Sequence, residues 1–141
     1  MITIDKTEFI NRLTQLCVKS AVHGLPKRRR DRHILLKSVT LLFDPERTYA
    51  ESDVNNTIRL WLTSVAVRLD TDHAAIRRAL VDERYFARDR AGSAYVRREP
   101  KSATLSFDRS VESVDVVSTI VEAMKVIERK RREHAPKLTS G

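Results

Sequence analysis

Apolar positions in this chain recur mostly at intervals of three and four, with two short stretches where they alternate instead. Phe9, Leu13, Leu16, Cys17 and Ala21 make one stripe, which predicts an amphipathic helix over residues 5–22. Asp5 with Glu8 three residues later has the layout of a capping box, Ile4 and Phe9 are spaced for a hydrophobic staple, and Gly24 and Pro26 end the helix. Leu35, Leu36, Val39, Leu42 and Phe43 predict a second helix over 26–43, stopped at Asp44-Pro45 because the residue before a proline is pushed out of the helical region. Val54, Ile58, Trp61 and Leu62 predict a third over 50–62, with Glu51 and Asp53 placed well in its first turn. Residues 63–70 satisfy both periods: Val65, Val67 and Leu69 alternate, while Val65 and Leu69 also continue the helical spacing. Ile76, Ala79 and Leu80 predict a short helix over 72–83 behind a cap-like Thr71-Asp72. Residues 85–98 then read as two strands around a turn at Asp89 to Ser93, with Gly92 as the positive-φ position. Leu105 and Phe107 suggest a short strand within 103–107. A long final helix over 110–134 carries Val111, Val114, Val117, Ile120, Val121, Met124 and Ile127.

These elements fall into three segments: an N-terminal helix (1–24), a helical core ending in a hairpin (25–100), and a short strand with a long C-terminal helix and basic tail (101–141). The fold class expected is mainly α, a winged helix-turn-helix core with a β-hairpin wing flanked by terminal helices. The heptad-like final stripe suits a partner helix and hence a homodimer through the terminal helices; packing within the chain against 5–22 is the alternative.

Charge sharpens this picture. The 141 residues hold 27 Lys and Arg against 19 Asp and Glu, a formal net charge of +8, which invites a polyanionic partner. The excess is concentrated in three blocks, 26–33, 72–101 and 125–137, whereas 102–124 is acidic. A basic cluster at a helix N-terminus opposes the macrodipole unless an anion is near, so Arg28, Arg29 and Arg30 are candidate phosphate contacts; a solvated basic entry to a core helix is the competing reading. On the 72–83 helix Thr71, His73, Arg77 and Arg78 are candidates for DNA. Arg77 lies close to the apolar face, within reach of Glu51 or Asp53, so Arg78 is the stronger of the two, and it is also spaced to pair with Asp82. Arg88, Arg90 and Arg97 decorate the hairpin, where basic side chains suit phosphate or the minor groove.

The segment 25–98 resembles an uncharacterised bacterial family, domain of unknown function 2087. The resemblance rests on Leu25-Pro26-Lys27, Leu35 to Phe43, Tyr49 to Asn55 (YAESDVN), Asp72-His73 followed by IRRALVD, Arg88-Asp89, and Tyr95-Val96-Arg97. It implies a helix-turn-helix core with a wing, of a kind that accompanies transcription-regulator modules, and no catalytic chemistry. The chain departs from the pattern at Arg84, where a helix-ending glycine is usual, and at Ala50, where a hydroxyl N-cap is expected; each departure is worth about 1 kcal/mol.

Other chemistry finds little footing. His23, His33, His73 and His134 lack metal-ligand spacing, no nucleophile motif is present, and three glycines cannot build a phosphate-cradling loop. No enzyme, metal or cofactor is expected. The lone Cys17 sits on an apolar stripe and excludes an internal disulfide, which with the absence of a long apolar run or leader pattern suits the cytoplasm. The expectation is a DNA-binding transcriptional regulator whose partner is double-stranded DNA. The alternative is a winged-helix module for protein or ligand interaction, marked by an Arg78 held in an internal salt bridge.

Overall fold

A computed structural model describes residues 1–20, 22–102 and 104–134. Ala21, position 103 and the basic tail after His134 lie outside these residues. The chain begins with β1 (Ile2–Ile4), followed by α1 (Lys6–Thr14). The Asp5 side chain accepts from the Glu8 amide at 2.8 Å, as the capping box requires, but the Glu8 carboxylate turns to Arg30 instead of back to the cap. The helix expected over 5–22 is shorter. It widens into a π-helical turn over Gln15–Lys19 and stops at an extended Ser20. β2 (Val22–His23) leads to α2 (Arg29–Thr40), which starts later than the pattern suggested, with Lys27 outside the helix and Arg28 at its cap.

Next come β3 (Thr48–Ala50), α3 (Glu51–Ser64) and β4 (Leu69–Asp70), which resolve the ambiguous 63–70 stretch into the last helical residues, a turn and two residues of strand. α4 (His73–Asp82) precedes the hairpin of β5 (Phe86–Arg88) and β6 (Ala94–Arg97). β7 (Leu105–Phe107), a 3-10 turn over Arg109–Ser113 and α5 (Val116–His134) complete the chain. The stripe read as one helix over 110–134 is therefore broken. Val114 is extended, and Asp115 starts a new helix by accepting from the Ser118 amide at 3.1 Å.

The architecture is mainly α, with a three-stranded antiparallel sheet in the order β3-β6-β5 and two parallel pairs, β1-β7 and β2-β4. The pairs tie the terminal segments together: Ile2 lies opposite Leu105, Ile4 opposite Phe107, and Val22 opposite Leu69. All three segments share one core. Phe9 and Leu13 of α1, Leu36 and Val39 of α2, Ile58 and Trp61 of α3, Ile76 and Leu80 of α4, Tyr95 of β6 and Ile120 of α5 are buried in it. Trp61 satisfies its indole N–H on Ser38 Oγ at 2.9 Å, so the largest core side chain also fixes α3 against α2. The apolar stripe of α5 is covered within the chain by α1, the π-helical turn and α3, with Val117, Met124 and Ile127 partly buried. That leaves the expected homodimer without the broad uncovered stripe that motivated it.

A second, polar core sits below the hairpin. Lys37, 1% exposed, donates to Glu99 at 2.9 Å and to Glu112 at 2.6 Å, and lies 5.6 Å from the centre of the Phe107 ring. Arg97 grips the same Glu112 carboxylate at 2.6 and 2.8 Å. Burying two cations is tolerable only because both have charged partners.

Candidate nucleic-acid interface

α4 is set by its ends and its buried face. Asp72 caps it, accepting from the Ala75 amide at 2.8 Å, and Ile76, Ala79 and Leu80 bury one side against α3 and α2. The helix ends through Arg84, whose φ of +64° is the left-handed turn for which glycine is usual. Arg77 and Arg78 diverge from here. Arg77 lies 3.5 Å from Glu51 on α3 and donates to Asn55. Glu51 also accepts from the Tyr95 hydroxyl at 2.9 Å, so one carboxylate joins the start of α3 to α4 and to β6. Arg78 is exposed and has no carboxylate partner among the described residues; the expected pairing with Asp82 is not formed. His73 is half-buried at the start of the helix, its Nε2 3.4 Å from Arg59 on α3.

The hairpin turn is built by Asp89. Its side chain accepts from the Ser93 amide at 2.7 Å, the Ser93 hydroxyl at 2.8 Å and the Ala94 amide at 3.2 Å. These bonds hold its carboxyl below the usual range, the Ser93 hydroxyl first among them. Gly92 takes the positive φ, +70°, that the turn demands. Arg88, at the end of β5, and Arg90, in the turn, are exposed. A cleft of about 350 Å³ separates the hairpin from α4, lined by Arg77, Arg78, Arg88 and Tyr95 among others. A second cleft of about 330 Å³ on the other flank of α4 brings Thr71 and Arg78 together with Arg32 and Gly24. Arg78 thus stands on a ridge between two grooves.

Arg97 requires a correction. It was grouped with the hairpin arginines, but it is 7% exposed, bound to Glu112 and donating to the Phe43 carbonyl at 3.2 Å. It belongs to the polar core and is closed to a ligand.

The basic start of α2 is partly neutralised. Arg30 pairs with Glu8, Arg32 with Glu83 at 3.1 Å, and Arg29 donates to Ser102 at 2.9 Å. Within this block Asp31 is held by a two-point contact from Arg12, at 2.7 and 2.8 Å. That hydrogen bonding outweighs burial and lowers the Asp31 pKa. Arg28, at the cap, is exposed and has no carboxylate partner among the described residues. The reading of Arg28, Arg29 and Arg30 as one phosphate cluster therefore keeps Arg28 uncommitted at the cap, with Arg29 exposed but turned to Ser102 and Arg30 spent on Glu8.

The structure brings Thr71, Arg78 and Arg88 around one helix and leaves Arg90 at the hairpin tip, while Arg29, Arg30 and Arg97 face elsewhere. Arg59 was passed over. The signal available was its place in an otherwise uncharged surface run of α3, beside the capped start of α4. Among the described residues no cluster of three or more His, Cys, Asp or Glu side chains could hold a metal, and no helix is long and apolar enough to cross a membrane.

A family model described as an uncharacterized protein conserved in bacteria, DUF2087, matches residues 21–97, from β2 to the end of β6. The chain belongs to the DUF2087 family. The matched DUF2087 segment holds α2, α3, α4 and the whole three-stranded sheet, and so every element that carries Arg28, Arg78, Arg88 and Arg90. No curated protein and no solved structure matches the chain significantly.

Proposed function

We propose that this DUF2087 protein is a transcriptional regulator that binds duplex DNA through a winged helix-turn-helix, with α4 in the major groove and the β5–β6 hairpin against the backbone. The chain order of helix, strand, two helices and hairpin, with the first strand added to the hairpin sheet, is the order such a domain needs. The observation that carries the reading is Arg78. It is the exposed, carboxylate-free cation on the helix that would enter the groove, whereas its neighbour Arg77 is spent on Glu51 and Asn55. The competing interaction module would have Arg78 locked in an internal salt bridge, and this side chain has no such partner among the described residues.

Titration of duplex DNA into the protein at low salt tests the proposal. Binding is expected, it weakens as salt rises because phosphate contacts release counterions, and Arg78→Ala lowers affinity by about tenfold, the loss of one charged contact. The Arg78→Ala protein keeps its melting temperature, since the side chain stabilises nothing in the fold. Absence of binding at low salt overturns the reading.

A further inference from the structure

On the molecule's other flank the π-helical turn, the loop after α3 and α5 enclose a cleft of about 450 Å³ that the DNA reading leaves unused. The size is within the range of small-molecule sites, roughly 300–1,000 Å³. Its floor is apolar: Cys17 and Val18 are buried, Met124 and Ile127 are partly covered, and Val67 stands 48% exposed at the edge. Burial raises the Cys17 thiol pKa to about 12, so the sulfur is a packing surface and not a nucleophile.

The rim is charged, with an excess of cations. Arg68 reaches across the mouth and donates to the Val18 carbonyl at 2.9 Å, one of the carbonyls left without a helical partner where the π turn ends. Glu128 is drawn away to Arg132 at 2.6 Å. Arg131, exposed beside the mouth, has no carboxylate partner among the described residues. An apolar floor beneath two guanidiniums, one of them uncommitted, calls for an amphiphile with one negative end. A neutral hydrocarbon would leave Arg131 unused, and a cationic amphiphile would be repelled by it.

We infer that this cleft binds a small aliphatic carboxylate, with its chain on Val18, Met124 and Ile127 and its carboxylate at Arg131 and Arg68. The π turn suits such a role, since these irregular turns recur at functional sites. The position also gives the ligand a route to α4. Val18 lies four residues before β2, and Arg68 immediately precedes β4; these strands pair with each other, and β4 leads into Asp72, the cap of α4. Occupancy therefore tightens both strands of the β2–β4 pair at the base of that helix. The inference goes beyond DNA binding and does not rest on it.

The test titrates decanoate, below its micellar concentration, into the full chain and follows backbone amide signals. Saturable shifts are expected at residues 17–18, 67–68 and 124–131, with slower amide exchange at 69–76. Decylamine is expected to produce neither effect. Arg131→Glu, an exposed change that leaves melting unaltered, is expected to weaken decanoate by about tenfold or more and to admit decylamine. Shifts that do not saturate, or that are indifferent to Arg131→Glu, overturn the inference. So does a sedimentation result showing that a second copy of the chain covers this cleft and excludes decanoate.

Discussion

Arg84 ends α4 in the left-handed backbone region. The family pattern expects glycine where the helix ends, and the residue standing there adopts φ +64°. Left-handed backbone at a non-glycine position costs about 1 kcal/mol, so Arg84→Gly is expected to raise stability by about that much in urea unfolding. The gain is partly offset by the greater freedom glycine brings to the unfolded chain. Arg97 is the opposite case. The sequence reading grouped it with its exposed basic neighbours, but successive strand residues face opposite ways and Tyr95 is buried, so Arg97 must face inward with it. The period-two rule applied to Tyr95 would have found it. What it could not supply is the identity of Glu112 as partner, which lies on a different element. Arg77 was legible because an arginine beside an apolar helix face can reach the preceding helix, and Glu51 was within its span.

At the scale of elements, strong periodicity located α1, α2, α3, α4 and the hairpin, while irregularity moved their ends. β1 and β2 escaped because segments of three and two residues carry no period, and their pairing to β7 and β4 is a contact across the chain. The break before α5 escaped because Val111, Val114 and Val117 keep helical spacing although Val114 itself is extended; the sign of it was Asp115 with Ser118 three positions on. The element joints also make two predictions. Glu112, on the 3-10 turn, serves both Lys37 and Arg97, so Glu112→Ala strands two buried cations and is expected to cost about 3 kcal/mol, the lower end for a broken buried pair because Glu99 still reaches Lys37. Lys37→Met is expected to change stability by less than about 1 kcal/mol, since Glu99 and Glu112 both reach solvent and lose little. Chemical denaturation of the two variants separates a network needed for stability from one that only fixes the hairpin's exit. The Arg12–Asp31 contact between α1 and α2 is acid-sensitive. Its carboxyl titrates below the usual 3.8, so the contact stabilises the fold above that value and is lost as pH falls through the lower folded value. Asp31→Asn is therefore expected to melt below the parent at neutral pH, and the difference should close in acid below about pH 3.8.

For the whole molecule, net charge overstated the available surface. The basic blocks were visible in the sequence, but which members are spent internally depends on long-range partners that no local pattern shows: Glu8 for Arg30, Ser102 for Arg29, Glu51 for Arg77, Glu112 for Arg97. Of the eight arginines first considered for nucleic acid, this leaves Arg28, Arg78, Arg88 and Arg90 exposed and without carboxylate partners among the described residues, while Arg29 is exposed but tied to the Ser102 hydroxyl. The difference is measurable. Each phosphate contact contributes about −0.9 to the slope of log affinity against log salt for duplex DNA, so all eight would give a slope near −7 per chain, and the four uncommitted ones about −4. The second value is expected under the proposed docking, and Arg78→Ala or Arg88→Ala should each make it shallower by about 1. Arg97→Lys, by contrast, should leave the slope unchanged, because Arg97 lies in the polar core beneath the hairpin, away from the DNA. A parent slope near −6 would mean that the ion pairs of Arg30 and Arg77 and the Arg29–Ser102 hydrogen bond open when DNA arrives. Protein melting measured over the same salt range would then register the loss of those pairs in the complex.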